Sequence, residues 1–178
     1  MIILVTGGQR SGKSTFAQNL IIDKKTVGYI ATSKVEDSEM ADRVENHKKN
    51  RPSQWRTIEA YHDFEKHIKD EEWYIFECVG TMTSNILYDL TRGSTEITKR
   101  EERNVENTII NELSRLIVKV RESNSNIIFV TNEVGLTLTP MNRLARVYTD
   151  VLGRVNQYLG KLSDEVYLVV SGIEVKIK

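Results

Sequence analysis

The chain opens with Ile2-Ile3-Leu4-Val5-Thr6-Gly7-Gly8-Gln9-Arg10-Ser11-Gly12-Lys13-Ser14, an apolar run that leads into a glycine-rich loop. Residues 7–14 match G-x-x-x-x-G-K-[ST], the phosphate-binding loop between a strand and a helix. The glycines allow backbone N–H groups to turn inward around a triphosphate, and the helix N-terminus adds its positive dipole end. We expect Lys13 to reach the β- and γ-phosphates and Ser14 to coordinate Mg²⁺. The loop therefore predicts binding of a nucleoside triphosphate.

Strand and helix patterns alternate along the rest of the chain. Apolar runs predict strands over residues 2–6, 27–31, 55–59, 73–77 and 126–131. Helical spacing predicts helices over residues 13–22, 37–50, 63–69 and 98–122, and residues 80–94 favour a helix followed by a loop. This alternation is typical of a mostly parallel sheet with helices on both faces.

The last part of the chain predicts one more helix and a hairpin. Pro140 stands where a helix would start, and an inward face is expected from Leu144, Tyr148, Val151, Val155 and Leu162. Residues 165–170 and 173–177, joined by Ser171-Gly172, read as an antiparallel hairpin. With no linker or repeat in the sequence, we expect one α/β domain over residues 1–178.

Composition excludes several classes of protein. The chain has 25 basic and 25 acidic residues, and this balance argues against a nucleic-acid binder or a membrane-surface protein. No apolar run approaches the roughly 18 to 20 residues that span a bilayer, and the first strand does not resemble a signal peptide. The single cysteine, Cys78, excludes an intrachain disulfide and fits a cytoplasmic location. It is expected in the core or beside the site.

Polar residues follow several predicted strands, where ligands bind in open α/β sheets. Glu77 ends a buried strand, and its carboxylate is expected to help hold Mg²⁺ or to contact a hydroxyl of the nucleotide or of a second substrate. Thr32 and Ser33 either contact a ligand or start a turn. Arg10 is either solvated or a further phosphate contact.

His47 is a candidate nucleophile. On a helix over residues 37–50 it shares the inward stripe of Met40 and Val44. Neighbouring lysines and Arg51 disfavour the imidazolium form and leave a neutral ring that can attack phosphorus. Lysines are also common near helix C-termini, and a lone half-buried histidine is usually structural. From the residues alone, the structural interpretation of His47 is favoured.

Other polar residues have no decided role. Asn132 and Glu133 begin a loop on the ligand-binding edge. Three arginines of the last helix predict either ligand contacts or subunit contacts, namely Arg143, Arg146 and Arg154. His62 and His67 are expected at the surface, because no partner cluster surrounds them in the sequence.

Several segments carry a more specific pattern, in chain order: residues 3–14, 29–33, 37–44, 47–52, 55–59, 131–135, 142–146, 153–157 and 169–173. Together they resemble the bifunctional adenosylcobinamide kinase/adenosylcobinamide-phosphate guanylyltransferases. The phosphate loop is widespread among proteins, whereas residues 47–59 are far more specific to this family. The resemblance runs along the whole chain.

The resemblance implies a RecA-like P-loop NTPase fold, a homotrimer and two activities of cobalamin assembly. ATP or GTP would phosphorylate the aminopropanol hydroxyl of the corrinoid adenosylcobinamide, and GTP would then donate GMP to that phosphate. It also implies that His47 becomes guanylylated, which reverses the interpretation from the residues alone. The implied nucleotide contacts are the phosphate loop, Ala31, Thr32, Ser33, Lys48, Lys49, Asn50, Arg51, Glu59 and Glu77.

Two positions depart from the family pattern. Asn46 stands where some members carry a second histidine, and Glu77 stands where many carry aspartate. The motif H-x-x-x-R-P still places histidine at position 47. Two rival interpretations are a phosphate-loop kinase without guanylyl transfer and a non-enzymatic nucleotide switch; the dense match around His47 argues against both.

Overall fold

The computed structural model describes residues 1–34, 52–94, 96–136 and 138–178, and its strands form one sheet. These strands are β1 (Ile2–Gly7), β2 (Val27–Ala31), β3 (Arg56–Glu59), β4 (Trp73–Glu77), β5 (Asn126–Val130), β6 (Glu165–Val170) and β7 (Ile173–Lys176). Their order is β3-β2-β4-β5-β1-β6-β7, and only the β6–β7 pair is antiparallel. The predicted α/β fold with a C-terminal hairpin is confirmed.

Helices cover both faces of this sheet. They are α1 (Lys13–Asn19), α2 (Val79–Thr91), α3 (Lys99–Glu122) and α4 (Arg143–Leu162), with a 3-10 turn at Phe64–His67. Side chains alternate along β1, so that Leu4 packs with α2, α3 and α4 while Ile3 and Val5 pack with α1. Among the described residues, the sheet thus separates a layer of α2, α3 and α4 from α1, the helix that follows the phosphate loop.

Most predicted elements agree with the structure, but residues 63–69 do not form an α-helix. Asp63 has a left-handed backbone with φ 52°, and only the 3-10 turn Phe64–His67 follows. Helix α1 ends at Asn19, three residues before the predicted end. The helix predicted over residues 37–50 lies outside the described residues.

The predicted start of the last helix at Pro140 is wrong. Helix α4 begins at Arg143, because Asn142 Oδ1 accepts hydrogen bonds from the backbone N–H groups of Leu144 (2.8 Å) and Ala145 (3.3 Å). Leu144 is 45% exposed and is therefore not part of the inward face. Val151 and Val155 are buried as predicted, and Val147, Leu152 and Leu159 complete the buried face.

Within the described ranges, the structure has no helix of the length and apolar character that a membrane crossing requires.

Candidate nucleotide-binding site

The phosphate loop lies at the carboxyl end of β1, an interior strand of the sheet, as predicted. Gly12 caps α1 with a left-handed backbone (φ 97°), a conformation that glycine adopts without steric cost. Lys13 is only 9% exposed, and its Nζ donates a hydrogen bond to the Gly8 carbonyl at 3.0 Å. The ammonium group is therefore held over the concave side of the loop, where a triphosphate would bind.

The C-terminal hairpin packs directly against this loop. The backbone N–H of Gly172 donates to the Ser11 carbonyl at 2.8 Å. A Cβ atom on Gly12 would lie 3.2 Å from the Gly172 Cα, and one on Gly7 would lie 2.4 Å from the Val169 carbonyl oxygen. Residues at opposite ends of the sequence therefore determine the shape of the loop together.

We expect Gly7→Ala to destabilise the protein by about 1–3 kcal/mol, because the new methyl group must displace backbone atoms of β6. The matched control is Gly8→Ala, since a Cβ atom at Gly8 meets nothing within 4 Å. Chemical denaturation of both variants gives the two free energies of unfolding. Equal stability of Gly7→Ala and Gly8→Ala would contradict the tight packing at Gly7.

Glu77 links the phosphate loop to the neighbouring strands. One carboxylate oxygen accepts a hydrogen bond from the Ser14 hydroxyl, and the other accepts one from the Tyr29 phenol. Tyr29 belongs to β2 and is 1% exposed, so packing of its ring in the core fixes the position of its hydroxyl beside Glu77. Ser14 and Glu77, both predicted to lie near Mg²⁺, are therefore in direct contact, and coordination of Mg²⁺ by either residue stays a prediction.

The pKa values of Lys13 and Cys78 are both shifted at the site. Burial lowers the pKa of the Lys13 ammonium, while Cys78 and Glu77 nearby oppose this shift. Burial raises the pKa of the Cys78 thiol, with hydrogen bonds from Thr81 opposing it. The thiol therefore stays protonated near neutral pH and is a poor nucleophile. Cys78 is a neighbour of the site, as one of the two expectations had it.

Strand register brings further predicted residues to the same edge of the sheet. Ala31 pairs with Glu59 on one side and with Glu77 on the other. Thr32 is fully buried, and its hydroxyl donates to the Cys78 carbonyl and accepts from the Cys78 N–H, both at 2.9 Å. This hydroxyl thus fastens β2 to β4. Direct contacts of Ala31, Thr32, Ser33 and Glu59 with a nucleotide stay predictions.

The remaining candidates fall into two groups. Gly8, Gln9 and Arg10 are exposed at the front of the phosphate loop, where a ligand has access to them. His47 and its neighbours Lys48, Lys49, Asn50 and Arg51 lie outside the described residues.

The arginines of α4 make contacts within the chain. Arg143 and Arg154 both bind Glu102 of α3, at 3.2 Å and 3.0 Å, and this carboxylate is 3% exposed. Arg146 donates to the Pro140 carbonyl at 3.0 Å. The side chains of Arg143 and Arg154 therefore form ion pairs that hold α4 against α3.

Two polar contacts near the site were not expected from the sequence. Tyr29 was predicted only as part of a strand, and no periodic signal distinguishes its hydroxyl from that of any buried tyrosine. Tyr148 hydrogen-bonds to Asn132, and burial raises the pKa of Tyr148 to about 12. The Tyr148 hydroxyl therefore keeps its proton and can donate a hydrogen bond at neutral pH.

Comparison with known proteins gives a consistent result along the whole chain. The model of the family described as "Cobinamide kinase / cobinamide phosphate guanyltransferase" matches residues 3–177. Two proteins named "Bifunctional adenosylcobalamin biosynthesis protein CobU", from Escherichia coli K12 and Salmonella typhimurium LT2, are each 44% identical over 182 residues and cover 100% of both chains. The CobP protein of Pseudomonas aeruginosa is 29% identical and covers 98% of this chain and 96% of its own.

Among solved structures, the chain is similar to a KaiC-like protein from the hyperthermophilic archaeon Pyrococcus horikoshii OT3. The TM-score is 0.49 at 14% identity, over 94% of this chain and 71% of the other.

Proposed function

Because the chain belongs to the cobinamide kinase/cobinamide phosphate guanyltransferase family, we propose that it phosphorylates adenosylcobinamide and then converts the phosphate to adenosylcobinamide-GDP. The observation that carries the proposal is the assembled phosphate site. Lys13 is held over the loop, Ser14 faces Glu77, and Glu59 lies on the same edge of the sheet. The protein is thus an enzyme of cobalamin biosynthesis with a phosphate-loop nucleotide site.

The first proposed reaction is phosphoryl transfer. The substrate hydroxyl oxygen attacks the γ-phosphorus of ATP or GTP, a new P–O bond forms, and the bond to the β-phosphate oxygen breaks. ADP or GDP leaves, and the hydroxyl proton passes to solvent. Lys13 and the backbone N–H groups of the loop stabilise charge on the β- and γ-phosphates, so catalysis depends mainly on positioning and electrostatics.

The second proposed reaction is guanylyl transfer in two steps. A ring nitrogen of His47 attacks the α-phosphorus of GTP, which forms a P–N bond and releases pyrophosphate from the phosphate loop. A phosphate oxygen of the corrinoid then attacks the same phosphorus, and the P–N bond breaks to regenerate His47. Lys48, Lys49, Asn50 and Arg51 follow the histidine in sequence and are proposed to contact the same nucleotide.

The start of α1 and the end of β4 together offer residues that fit a magnesium ion. Ser14 and Glu77 offer a hydroxyl and a carboxylate oxygen that already lie within hydrogen-bonding distance, and Mg²⁺ prefers oxygen ligands. Ser14 would bind Mg²⁺ directly, with Glu77 beside it. When bound there, Mg²⁺ supplies charge neutralisation on the departing phosphates.

Tyr29 is proposed to orient Glu77 for this role. We expect Tyr29→Phe to weaken Mg²⁺-dependent nucleotide binding about tenfold, since residues that orient metal-binding groups have effects of this size. The measurement is the Kd of a fluorescent GTP analogue during a Mg²⁺ titration, with nucleotide affinity in EDTA expected to stay unchanged. Tyr158→Phe is the control, because its phenol pairs with Ser114 at 2.7 Å between α3 and α4. If Tyr29→Phe binds the GTP analogue with the wild-type dependence on Mg²⁺, Tyr29 does not orient Glu77.

A homotrimer and a cytoplasmic location are part of the proposal. The homotrimer rests on the resemblance of the sequence to the family, and the location rests on the single cysteine, which fits a reducing compartment.

The test of the proposed function uses the wild-type chain, adenosylcobinamide and GTP labelled at the α-phosphate. We expect an acid-labile, alkali-stable label on the protein, which moves to the corrinoid once its phosphate has formed. A control with label on the γ-phosphate should instead mark the corrinoid directly. If the corrinoid carries label from neither form of GTP, both activities are refuted. If it carries only the γ-label, the protein is a kinase without guanylyl transfer.

A further inference from the structure

A groove of about 690 Å³ opens between α2 and α4, on the opposite face of the sheet from α1. Its floor and walls include Lys34, Asn85, Tyr88, Asn132, Leu144 and Tyr148. An adjoining cavity of about 720 Å³ shares Tyr88 and Leu144 and lengthens the depression beyond the start of α4. We call this depression the α2–α4 groove.

The α2–α4 groove is continuous with the phosphate site through backbone contacts. Asn132 lines the groove, and the next residue, Glu133, donates its N–H to the Gly7 carbonyl at 3.0 Å. Asn85 donates to the Thr32 carbonyl at 2.8 Å, and the Thr32 N–H bonds the Glu77 carbonyl at 3.0 Å. The groove and the phosphate loop therefore lie on either side of the same strand tips.

This geometry suits two substrates that react with each other. A nucleotide held by α1 and the phosphate loop occupies one face of the sheet at its carboxyl edge. A molecule in the α2–α4 groove occupies the other face at the same edge. A flexible arm that crosses the tips of β4 and β5 would bring its end to the phosphates, which is the approach that group transfer requires.

Between α2 and α4, the lining has the chemistry of a site for an amide-bearing ring system. Asn85, Asn132 and the Tyr148 hydroxyl offer donors and acceptors without net charge. Tyr88 (54% exposed) and Leu144 (45% exposed) present apolar surface at the rim. Lys34 lies at the β2 end and is paired with Asp89 at 2.6 Å, so a cation stands on the side nearer the strand tips. A phosphate on the substrate arm would find its counter-charge there.

We propose that the α2–α4 groove binds the corrin ring of cobinamide and directs its aminopropanol arm across the tips of β4 and β5 to the phosphate loop. The ring offers a broad apolar face, and its periphery carries carboxamides that match the asparagine and tyrosine side chains. The combined depression is of the size that encloses large small-molecule ligands. This inference rests on the proposed function and adds the place where the second substrate binds.

Filling the groove tests the proposal. Ser84 lines the groove on an exposed turn of α2, so Ser84→Trp should occupy the space of the ring without disturbing the core. We expect the Kd of cobinamide, measured from its visible absorbance in the presence of a non-hydrolysable GTP analogue, to rise at least about tenfold, the effect of losing roughly 1.4 kcal/mol of binding. The Kd of the GTP analogue itself should stay within twofold of wild type.

Leu90→Trp is the matched control, since Leu90 is exposed on the same helix and lies outside the lining of the groove. Leu144→Lys is a second groove variant, which replaces apolar surface at the rim with an ammonium group and is expected to weaken cobinamide binding similarly. Two groove variants are used because one of them could fold incorrectly. Unchanged affinity for the GTP analogue shows that a variant is folded.

The outcomes separate the groove from the proposed function. If wild type binds and phosphorylates cobinamide while both groove variants bind it with wild-type affinity, the ring binds elsewhere and the proposed function stands. If Leu90→Trp weakens binding as much as Ser84→Trp, the groove assignment is also wrong. If wild type neither binds nor phosphorylates cobinamide with nucleotide present, the proposed function itself fails.

Discussion

Replacement of His47 by alanine is expected to abolish the α-phosphate label on the protein and to lower guanylyl transfer by at least about 10⁴-fold, the scale for loss of a covalent nucleophile. Phosphorylation of the corrinoid hydroxyl should stay within a few-fold of wild type, because that step uses the γ-phosphorus and needs no nucleophile from the protein. The two activities are measured side by side with α- and γ-labelled GTP.

The control for this variant is His62→Ala, whose imidazole side chain is 78% exposed. It should retain both label and transfer. If the label persists on His47→Ala, another residue is the nucleophile. If the kinase step is lost together with the label, His47 serves nucleotide binding and not covalent chemistry alone.

Lys13→Ala is expected to reduce both activities by about 10²–10³, the effect of removing one electrostatic contact to a reacting group. The reason lies in the geometry of the phosphate loop. The ammonium is buried and held by the Gly8 carbonyl at 3.0 Å, so it is preorganised for the β- and γ-phosphates. These phosphates are the transferred and leaving groups of the first reaction and the leaving pyrophosphate of the second.

The matched control is Lys24→Ala, which removes an exposed ammonium that pairs with Glu72 at 3.1 Å. Surface ion pairs of this kind contribute little to stability, so both activities should be unchanged. If Lys13→Ala lost the kinase step but retained guanylyl transfer, the two reactions would not share one phosphate site. We therefore expect His47→Ala to lose guanylyl transfer alone, whereas Lys13→Ala should lose both activities.

Local sequence signals predicted the elements that hold the phosphate site. The phosphate loop joins β1 to α1, and Glu77 ends β4, both as predicted. These features could be predicted because apolar runs and the spacing of glycines are signals that extend over only a few residues. Thr98 also begins its helix as expected, with a capping box in which its hydroxyl accepts from the Glu101 N–H at 3.2 Å.

Other features were mispredicted or missed because competing local or distant contacts determine them. Pro140 was a plausible helix start, yet the Asn142 side chain caps α4 and moves its beginning to Arg143. The convergence of Ser14, Glu77 and Tyr29 joins three segments that are far apart in the chain. The α2–α4 groove likewise arises only when two helices pack on the sheet, and periodicity carries no information about such a cavity.

The contact between the hairpin and the phosphate loop has a consequence for synthesis of the chain on the ribosome. Strand β1 is made long before β6, which is one of its two partners, and the Ser11 carbonyl accepts its hydrogen bond from the N–H of Gly172. Pairing over so long a separation in sequence is slow and waits for the late segments. We therefore expect a nascent chain to acquire nucleotide affinity only after residue 172 has left the exit tunnel.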